Sequence, residues 1–427
     1  MWRPTRSFTC FRGLVDKSLV IVDRTRATTR YGMSETIRQY AEERLVASGD
    51  AEAVRARHAR WYADFARAAG RGLNSTDELR WLEQLQGEVD NLQVAVAWAV
   101  GAEEADLAMR LGGSFPRQAM ARPLLGTASL AERAMAVRGA DHHPLRARVM
   151  AEAAWAVAAR GDADRGTQLL HQSIEAQRAG ARYAAAAYAY SGAFWREETR
   201  TKSYEIAKEG LEAAEGAGDV LGAIGCRMTL SAQAMLTGRD DEALDEARRA
   251  LTEARQLGQP TLEAAALYVS GLAVSSADPA QAITILRQSV DLTERLGIES
   301  ERASALSLIA ALEARHGDAR RALEALRDGI TSLVPPTAFR SDFYIGLEVF
   351  NRVGRPDLVA QCYGMTRRLY TSSPPLYKRF NDAAVEEAKA TLGDNLFNLH
   401  AAEGASVTPE QFREAMQREI DELLSAT

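Results

Sequence analysis

The chain has 427 residues, of which 46% are hydrophobic and 26% charged, and its formal net charge at pH 7 is −6. This composition excludes a disordered or low-complexity protein, and no apolar run approaches the length of a membrane span. The first ten residues lack the apolar core of a secretory signal, and Cys10, Cys226 and Cys362 follow no metal-ligand spacing. We therefore expect a cytoplasmic protein with free thiols that has no membrane partner.

The N-terminal region combines a short apolar run with a helical pattern. Residues 14–22, LVDKSLVIV, are rich in Val and Leu, as is typical of a strand. Residues 30–45, RYGMSETIRQYAEERL, begin extended and continue as an amphipathic helix. The order strand, turn, strand and helix predicts a small β-wing within residues 1–48.

Charge is unevenly distributed along the chain. Residues 1–60 contain 12 Lys or Arg and 7 Asp or Glu, a balance of +5, which leaves −11 on the remainder. A basic head on an acidic body allows DNA contact, and Lys17, Arg24, Arg26 and Arg30 would then reach the phosphates. We favour the alternative that these charges pair with acidic groups of the same chain, because bases and acids alternate here and no aromatic stacking platform accompanies them.

Residues 49–140 predict a helical linker domain. Two amphipathic helices are evident, VRARHARWYADFARAA from Val54 and RWLEQLQGEVDNLQVAVAWAV from Arg80. Both lie outside the repeat period that governs the rest of the chain.

From about residue 145 onward, small polar turns recur at a fixed interval between helical segments. One series has a first gap of 77 residues and then spacings of 40, 39 and 37 residues, at Gly161, Gly238, Asp278, Gly317 and Gly354. A second series has spacings of 38, 40 and 39 residues, at Gly180, Gly218, Gly258 and Gly297. Glycine readily adopts the left-handed conformation that closes a helix, so two interleaved series predict two helices in each repeat.

The predicted fold class is therefore all-α: a right-handed, tetratricopeptide-like α-solenoid of antiparallel helix hairpins over residues 141–400. The consensus Trp and Tyr of the tetratricopeptide repeat are mostly missing. A capping helix follows within residues 401–427. Its predicted N-cap is Thr408, with Pro409 as the first helical residue and Gln411 as the capping-box partner.

An aromatic stripe is the main candidate for a binding surface. Tyr183, Tyr190 and Phe194 lie seven and four residues apart, and Trp195 and Arg196 adjoin them. On the concave side of a solenoid, this stripe would bind a peptide or a small effector. The alternative, which we favour, is that these rings fill space between alanine-rich helices. The glycine phasing assigns residues 182–196 and 220–236 to helices on the concave side.

No pattern of catalytic or cofactor-binding residues is present. His142 and His143 form the one histidine pair, and adjacent residues seldom face a single metal ion, so a polar loop is favoured over a metal site. Gly-x-Ser-x-Gly, His-Glu-x-x-His and paired zinc cysteines are absent from the sequence. We expect no catalytic residue, no cofactor and no metal.

Several segments together resemble one protein family. Within residues 30–41, the residues that match its wing strand and connecting helix are Arg30, Tyr31, Glu35, Thr36, Ile37, Arg38, Tyr40 and Ala41. RHARWYADFA from Arg57, WLEQLQGEVDNLQVAVAWA from Trp81 and the tail from Leu392 to Met416 also look like family landmarks. The chain resembles the C-terminal part of bacterial signal-transducing ATPase regulators of the LuxR-like and adenylate-cyclase-fusion type. The resemblance implies that residues 1–48 end a winged-helix domain and that the repeats act as a sensor.

The chain also departs from that family. It contains no Gly-Lys pair and therefore no phosphate-binding loop, and no LuxR-type helix-turn-helix follows the tail. We expect a non-catalytic sensor and protein-interaction module of a bacterial transcriptional or signalling regulator that lacks the ATPase module. Its partner would be a protein or small effector in the solenoid groove, or a separate ATPase or output domain. The alternatives are a DNA-binding transcription factor that uses the basic wing, and a truncated remnant of a larger regulator.

Overall fold

A computed structural model of the chain describes residues 11–24, 29–115, 126–159, 162–178, 200–330, 342–369 and 375–426. The chain divides into two compact units, residues 1–62 and residues 63–427. The four-part division expected from the sequence, 1–48, 49–140, 141–400 and 401–427, stays a prediction. Within the described ranges, no helix is long and apolar enough to cross a membrane.

The N-terminal unit contains two short helices, a two-stranded ribbon and the start of a longer helix. In chain order these are α1 (residues 11–16), β1 (Ile21–Asp23), β2 (Arg30–Gly32), α2 (Glu35–Ala47) and the first part of α3 (Ala51–Gly72). The strands pair antiparallel, with Ile21 opposite Gly32, Val22 opposite Tyr31 and Asp23 opposite Arg30. The order of strand, strand and helix agrees with the sequence, but residues 14–22 do not form one strand: residues 14–16 belong to α1 and the strand is confined to Ile21–Asp23. The winged-helix assignment stays a prediction.

The second unit is built almost entirely from helices. After α3 they are α4 (Glu78–Gln86), α5 (Val89–Gly101), α6 (Ala105–Gly112), α7 (Thr127–Met135), a 3₁₀ turn (Ala140–His142), α8 (Arg146–Ala159), α9 (Ala163–Arg178), α10 (Arg200–Ala217), α11 (Val220–Leu236), α12 (Asp240–Leu257), α13 (Pro260–Val274), α14 (Pro279–Leu296), α15 (Glu299–His316), α16 (Ala319–Ile330), α17 (Asp342–Arg352), α18 (Pro356–Leu369), α19 (Pro375–Ser406) and α20 (Pro409–Ala426). From α10 to α19 each helix packs against the next, and α11, α13, α15, α17 and α19 also contact one another in sequence. The predicted all-α solenoid is confirmed.

The helices of the solenoid form two layers with different sequence patterns. In the inner layer, α13 exposes none of its residues and α15 exposes His316 alone. Ala, Leu and Gly occupy most positions around α13, as is typical of a helix that is buried on every side. In the outer layer, α12 buries a single stripe of alanines, at Ala243, Ala247, Ala250 and Ala254. This alternation confirms two helices in each repeat.

Several glycines of the predicted series close helices in the expected way. Gly258 and Gly297 have φ of 67° and 63° and cap α12 and α14. Gly317 differs, because its φ is −126° and an added Cβ would lie 2.1 Å from a carboxylate oxygen of Glu313. Gly317 therefore fits the glycine period without the left-handed turn that the period predicts.

Small residues let neighbouring helices approach closely. The hydroxyl of Ser231 on α11 donates to the carbonyl of Ala243 on α12 at 2.8 Å. Ser289 on α14 likewise donates to the carbonyl of Ala264 on α13 at 2.9 Å. Because serine and alanine carry at most one heavy atom beyond Cβ, the serine hydroxyl of one helix reaches the backbone carbonyl of the next.

The C-terminal helices complete a core that extends from Leu272 to Leu424. Helix α20 buries Phe412, Met416, Ile420 and Leu424. It begins with the predicted capping box: the Thr408 amide donates to the Gln411 side chain at 3.0 Å, and the Gln411 amide donates to the Thr408 hydroxyl at 3.2 Å. That prediction is confirmed, and it satisfies two N–H groups at the start of the helix.

Glu152 on α8 is a buried carboxyl group, with 1% of its surface exposed. Burial raises its pKa to about 7, although Arg148, 3.3 Å away, and a hydrogen bond from the backbone of Phe115 act in the opposite direction. The folded protein therefore holds this proton more tightly than the unfolded chain does.

We predict that Gly404→Ala lowers the free energy of unfolding by about 1–3 kcal/mol. An added Cβ would lie 2.1 Å from the carbonyl oxygen of Gln361 on α18, so α18 and α19 would have to separate. Gly216→Ala is the matched control, because nothing lies within 4 Å of its added Cβ. We expect the control to be neutral or to gain about 0.5 kcal/mol. Urea unfolding measures both, and equal stability of Gly404→Ala and wild type would contradict the close helix approach.

We further predict that Glu152→Gln reduces the pH dependence of stability between about pH 5 and pH 8. In the wild type, this carboxyl contributes stability at low pH that is lost as the pH rises towards its folded pKa of about 7. The loss is at most about 3 kcal/mol. Urea unfolding at both pH values, with Glu83→Gln at an exposed site as control, measures the difference. Identical pH profiles for wild type and Glu152→Gln would show that Glu152 is ionised when folded.

Candidate interaction surfaces

The predicted aromatic stripe, Tyr183, Tyr190, Phe194, Trp195 and Arg196, lies outside the described residues. Helix α11, the other helix assigned to the concave side, is described, and along it Val220 is the one exposed residue, at 48%. Residues 220–236 therefore form a packed layer and provide no open groove of their own. A groove at residues 182–196 stays a prediction.

The basic wing carries its charges in a mixed arrangement. Lys17 and Arg24 are exposed, whereas Arg30 is half-buried and stands opposite Asp23 in the strand pair. Arg26 lies outside the described residues. Arg12, on α1, is 3.9 Å from Asp16. The acids that alternate with these bases reduce the positive field that a DNA backbone would meet.

The N-terminal unit exposes large apolar side chains on each of its elements. Helix α2 buries none of its 13 residues. On the ribbon, Ile21 and Tyr31 are 57% and 55% exposed. Ile21 pairs with Gly32 and Tyr31 with Val22, so the two side chains lie on opposite faces. We call the following set the apolar surface of the N-terminal unit: Phe11, Leu14, Ile21, Tyr31, Met33, Tyr40, Val46 and Trp61.

By contrast, few apolar residues of this unit are buried. Among its described residues these are Val20, Ala51, Ala59 and Tyr62. A two-stranded ribbon is marginal in water without a packed face, and a helix of this length is marginal without tertiary contacts. Contiguous exposed apolar patches mark protein-interaction sites, and these eight side chains supply apolar area on more than one face of the unit. Sequence reasoning missed this surface, because the pattern of α2 suggested a buried stripe that the fold does not provide.

Inside the solenoid, buried ion pairs join successive helices. The Arg227 guanidinium on α11 donates to Glu215 at 2.6 Å, to Glu246 at 2.9 Å and to Glu253 at 3.1 Å. These carboxylates belong to α10 and α12, on either side of α11. Arg227 thus ties three consecutive helices together, and its side chain is only 10% exposed.

A second buried pair lies further along the inner layer. Arg315 of α15 makes two bonds to Glu348 of α17, at 2.5 Å and 2.6 Å. Its guanidinium also lies 3.5 Å from the ring centroid of Phe380 on α19. Burial raises the pKa of Glu348 above its ordinary value, although the bonds to Arg315 act in the opposite direction.

The residues after α3 and at the start of α4 meet the middle of the solenoid at a third polar contact, which we call the polar clasp: Leu73, Glu78, Gln259 and Thr261. The Glu78 carboxylate, at the start of α4, accepts from the Thr261 amide at 3.0 Å and from the Thr261 hydroxyl. The Gln259 side chain donates to the Leu73 carbonyl at 3.1 Å and accepts from the Leu262 amide at 2.9 Å.

The polar clasp satisfies the N-terminus of an inner helix. Pro260 is the first residue of α13, and the amides of Thr261 and Leu262 have no acceptor within their own helix. Gln259 and Glu78 supply those acceptors, and a carboxylate is favoured at this end by the helix dipole. Gln259 followed by Pro260 is a local sequence pattern that predicts the start of α13. Glu78 lies 183 residues from Thr261, and no local pattern identifies it as a partner.

The remaining reactive side chains have structural surroundings. Burial raises the pKa of Cys226 to about 12, and it also raises the pKa of Cys362, so both thiols stay protonated near neutral pH. His143, of the predicted polar loop, lies 3.4 Å from Asp106 and accepts from the Leu145 amide. In the described part of the chain, no three His, Cys, Asp or Glu residues are grouped to hold a metal ion.

No family model matches the chain. Proteins from Mycobacterium tuberculosis and Mycobacterium bovis, each named "Putative HTH-type transcriptional regulator", are 38% identical to it over 102 residues. The match covers 24% of this chain and 11% of each relative, so the chain spans about a tenth of the length of these curated relatives.

Two solved structures are similar in part. One is a signal transduction ATPase with numerous domains and a tetratricopeptide repeat sensor, from Pyrococcus horikoshii. It is 13% identical, with a TM-score of 0.40, over 98% of this chain and 60% of that one. The other is a circular tandem repeat protein that is 16% identical, with a TM-score of 0.19, over 91% and 89% of the two chains. Both TM-scores lie below 0.5, so these likenesses decide neither fold nor function.

Proposed function

We propose that this chain is a non-catalytic sensor and protein-interaction module of a bacterial transcriptional or signalling regulator. The observation that carries the proposal is the apolar surface of the N-terminal unit, where α2 buries no residue. The solenoid supports it, because stacked helix hairpins are a common scaffold for binding proteins. The partial identity to proteins named as HTH-type transcriptional regulators agrees with a place in gene regulation.

The proposed partner of the apolar surface is a separate polypeptide with ATPase or output function. Covering a large apolar side chain stabilises a complex by about 1.5–3 kcal/mol, so a partner that buries several of these eight residues gains a tight interface. A second copy of the chain fits less well, because residues 1–60 carry a balance of +5 and two such units repel.

The proposed sensing step acts through the solenoid. An effector that binds one of two packings of the inner layer more tightly shifts the population towards that packing. The candidate effector site remains the predicted aromatic stripe, Tyr183, Tyr190, Phe194, Trp195 and Arg196, and it requires that these rings line a groove and do not fill space between helices. The effector undergoes no chemical reaction. Its binding changes the affinity of the module for its partner.

The apolar surface is tested by the double variant Tyr40→Gln and Val46→Gln in the source bacterium. Both side chains are more than half exposed, at 54% and 56%, so we expect unchanged thermal unfolding. We also expect the transcript profile of the variant strain to match that of a deletion strain. Val94→Gln, which changes a residue of the second unit that is 59% exposed, is the matched control and should behave as wild type.

Three outcomes would contradict the proposal. A wild-type transcript profile for the double variant would show that the apolar surface binds no partner of consequence. Micromolar, magnesium-dependent ATP binding by this chain would contradict a module without ATPase function. Specific DNA binding that weakens steeply with salt would favour the DNA-binding alternative, and Arg30→Ala would then reduce the salt dependence.

A further inference from the structure

The polar clasp is buried on both sides of the contact. Glu78 and Gln259 are 0% exposed and Thr261 is 5% exposed. A buried carboxylate is costly, and here the cost is offset by the two donors of Thr261 at the positive end of α13. A shift of that helix end by an ångström or two would break both bonds between Thr261 and Glu78. The contact is therefore either made or broken.

Helix α13 connects the clasp to the rest of the inner layer. It packs between α12 and α14 and also contacts α11 and α15. An added Cβ at Gly271 would lie 2.6 Å from Leu286 on α14, so the two helices are already in close contact there. Tightly packed interiors transmit strain, so we expect a change in packing near Gly271 to displace the N-terminus of α13 as well.

We propose that the polar clasp is a switch that conveys the packing of the inner layer to the linker helix α4. When the clasp is made, Glu78 holds the start of α4 against the start of α13. When the inner layer adopts its other packing, the clasp opens and α4 is released from that position. This inference rests on the proposed function, because it supplies the regulation of the same solenoid sensor.

Hydrogen exchange of the full chain, without nucleotide or partner, tests the clasp itself. We expect Glu78→Ala to accelerate exchange at the Thr261 amide and along α4 by about tenfold or more, as loss of a charge-assisted hydrogen bond predicts. Asp77→Ala is the control, because Asp77 is the exposed neighbour and its side chain caps no amide. Thr261→Val keeps the amide but removes the hydroxyl donor, and it should give a smaller change at the same sites.

Gly271→Ala tests whether the clasp conveys a change from elsewhere. In the wild-type background, we expect it to accelerate exchange along α4. In the Glu78→Ala background, we expect no further acceleration there, because the connection is already broken. Equal effects of Gly271→Ala in both backgrounds, or none on α4 in either, would overturn the proposal. Uniform acceleration across α13, α15 and α17 in Glu78→Ala would also overturn it, since Glu78 would then support the whole fold.

These measurements separate the switch from the proposed function. ATP binding or a silent apolar-surface variant would contradict the interaction module and leave the exchange results unaffected. Conversely, an uncoupled clasp would leave the partner surface in place and contradict only the switch.

Discussion

The solenoid depends on the close approach of helix backbones at alanine, serine and glycine positions. Ser231 and Ser289 reach the backbone carbonyls of adjacent helices directly. At the far end of the array, an added Cβ at Gly364 would lie 1.8 Å from the carbonyl oxygen of Ala401. Larger side chains at these crossings would push the helices apart and expose the inner layer. Small residues therefore set the spacing, and the long side chains of leucine and phenylalanine fill what remains.

Close packing has a consequence for polar side chains on the inner helices. Arg227, Glu348 and Glu78 are buried, and each is held by partners on other helices. Because a buried charged group loses stabilisation when a partner is removed, these contacts favour the arrangement in which they are all made. The inner layer thus combines rigidity with a small number of contacts that are either formed or broken. The described part of the N-terminal unit differs from the inner layer, because it exposes eight large apolar side chains and buries only four apolar residues.

Features encoded by neighbouring residues could be predicted from the sequence. The glycine period gave the two-helix repeat, and Thr408 and Gln411 formed the expected capping box, because caps and turns depend on residues three or four positions apart. Gly317 fits the same period without the left-handed turn, which sequence spacing does not reveal.

Features that depend on distant residues could not be predicted. Glu78 resembles any solvated acid at the start of a helix, and its role appears only when Thr261 is brought beside it. The exposure of Tyr40 and Val46 likewise depends on what the fold leaves uncovered, which no local pattern of residues decides. The aromatic stripe at residues 183–196 lies outside the described residues, and its role stays a prediction.

The central claim is that the N-terminal unit is completed by a partner, whereas the solenoid is stable by itself. Native-state hydrogen exchange of the wild-type chain alone tests this most directly. We predict that amides of α2 exchange almost as fast as those of an unfolded chain, because the helix buries no side chain. Amides of α13 and α15 should exchange only through global unfolding. Protection of α2 equal to that of α13 would contradict the account, because the N-terminal unit would then be stable without a partner.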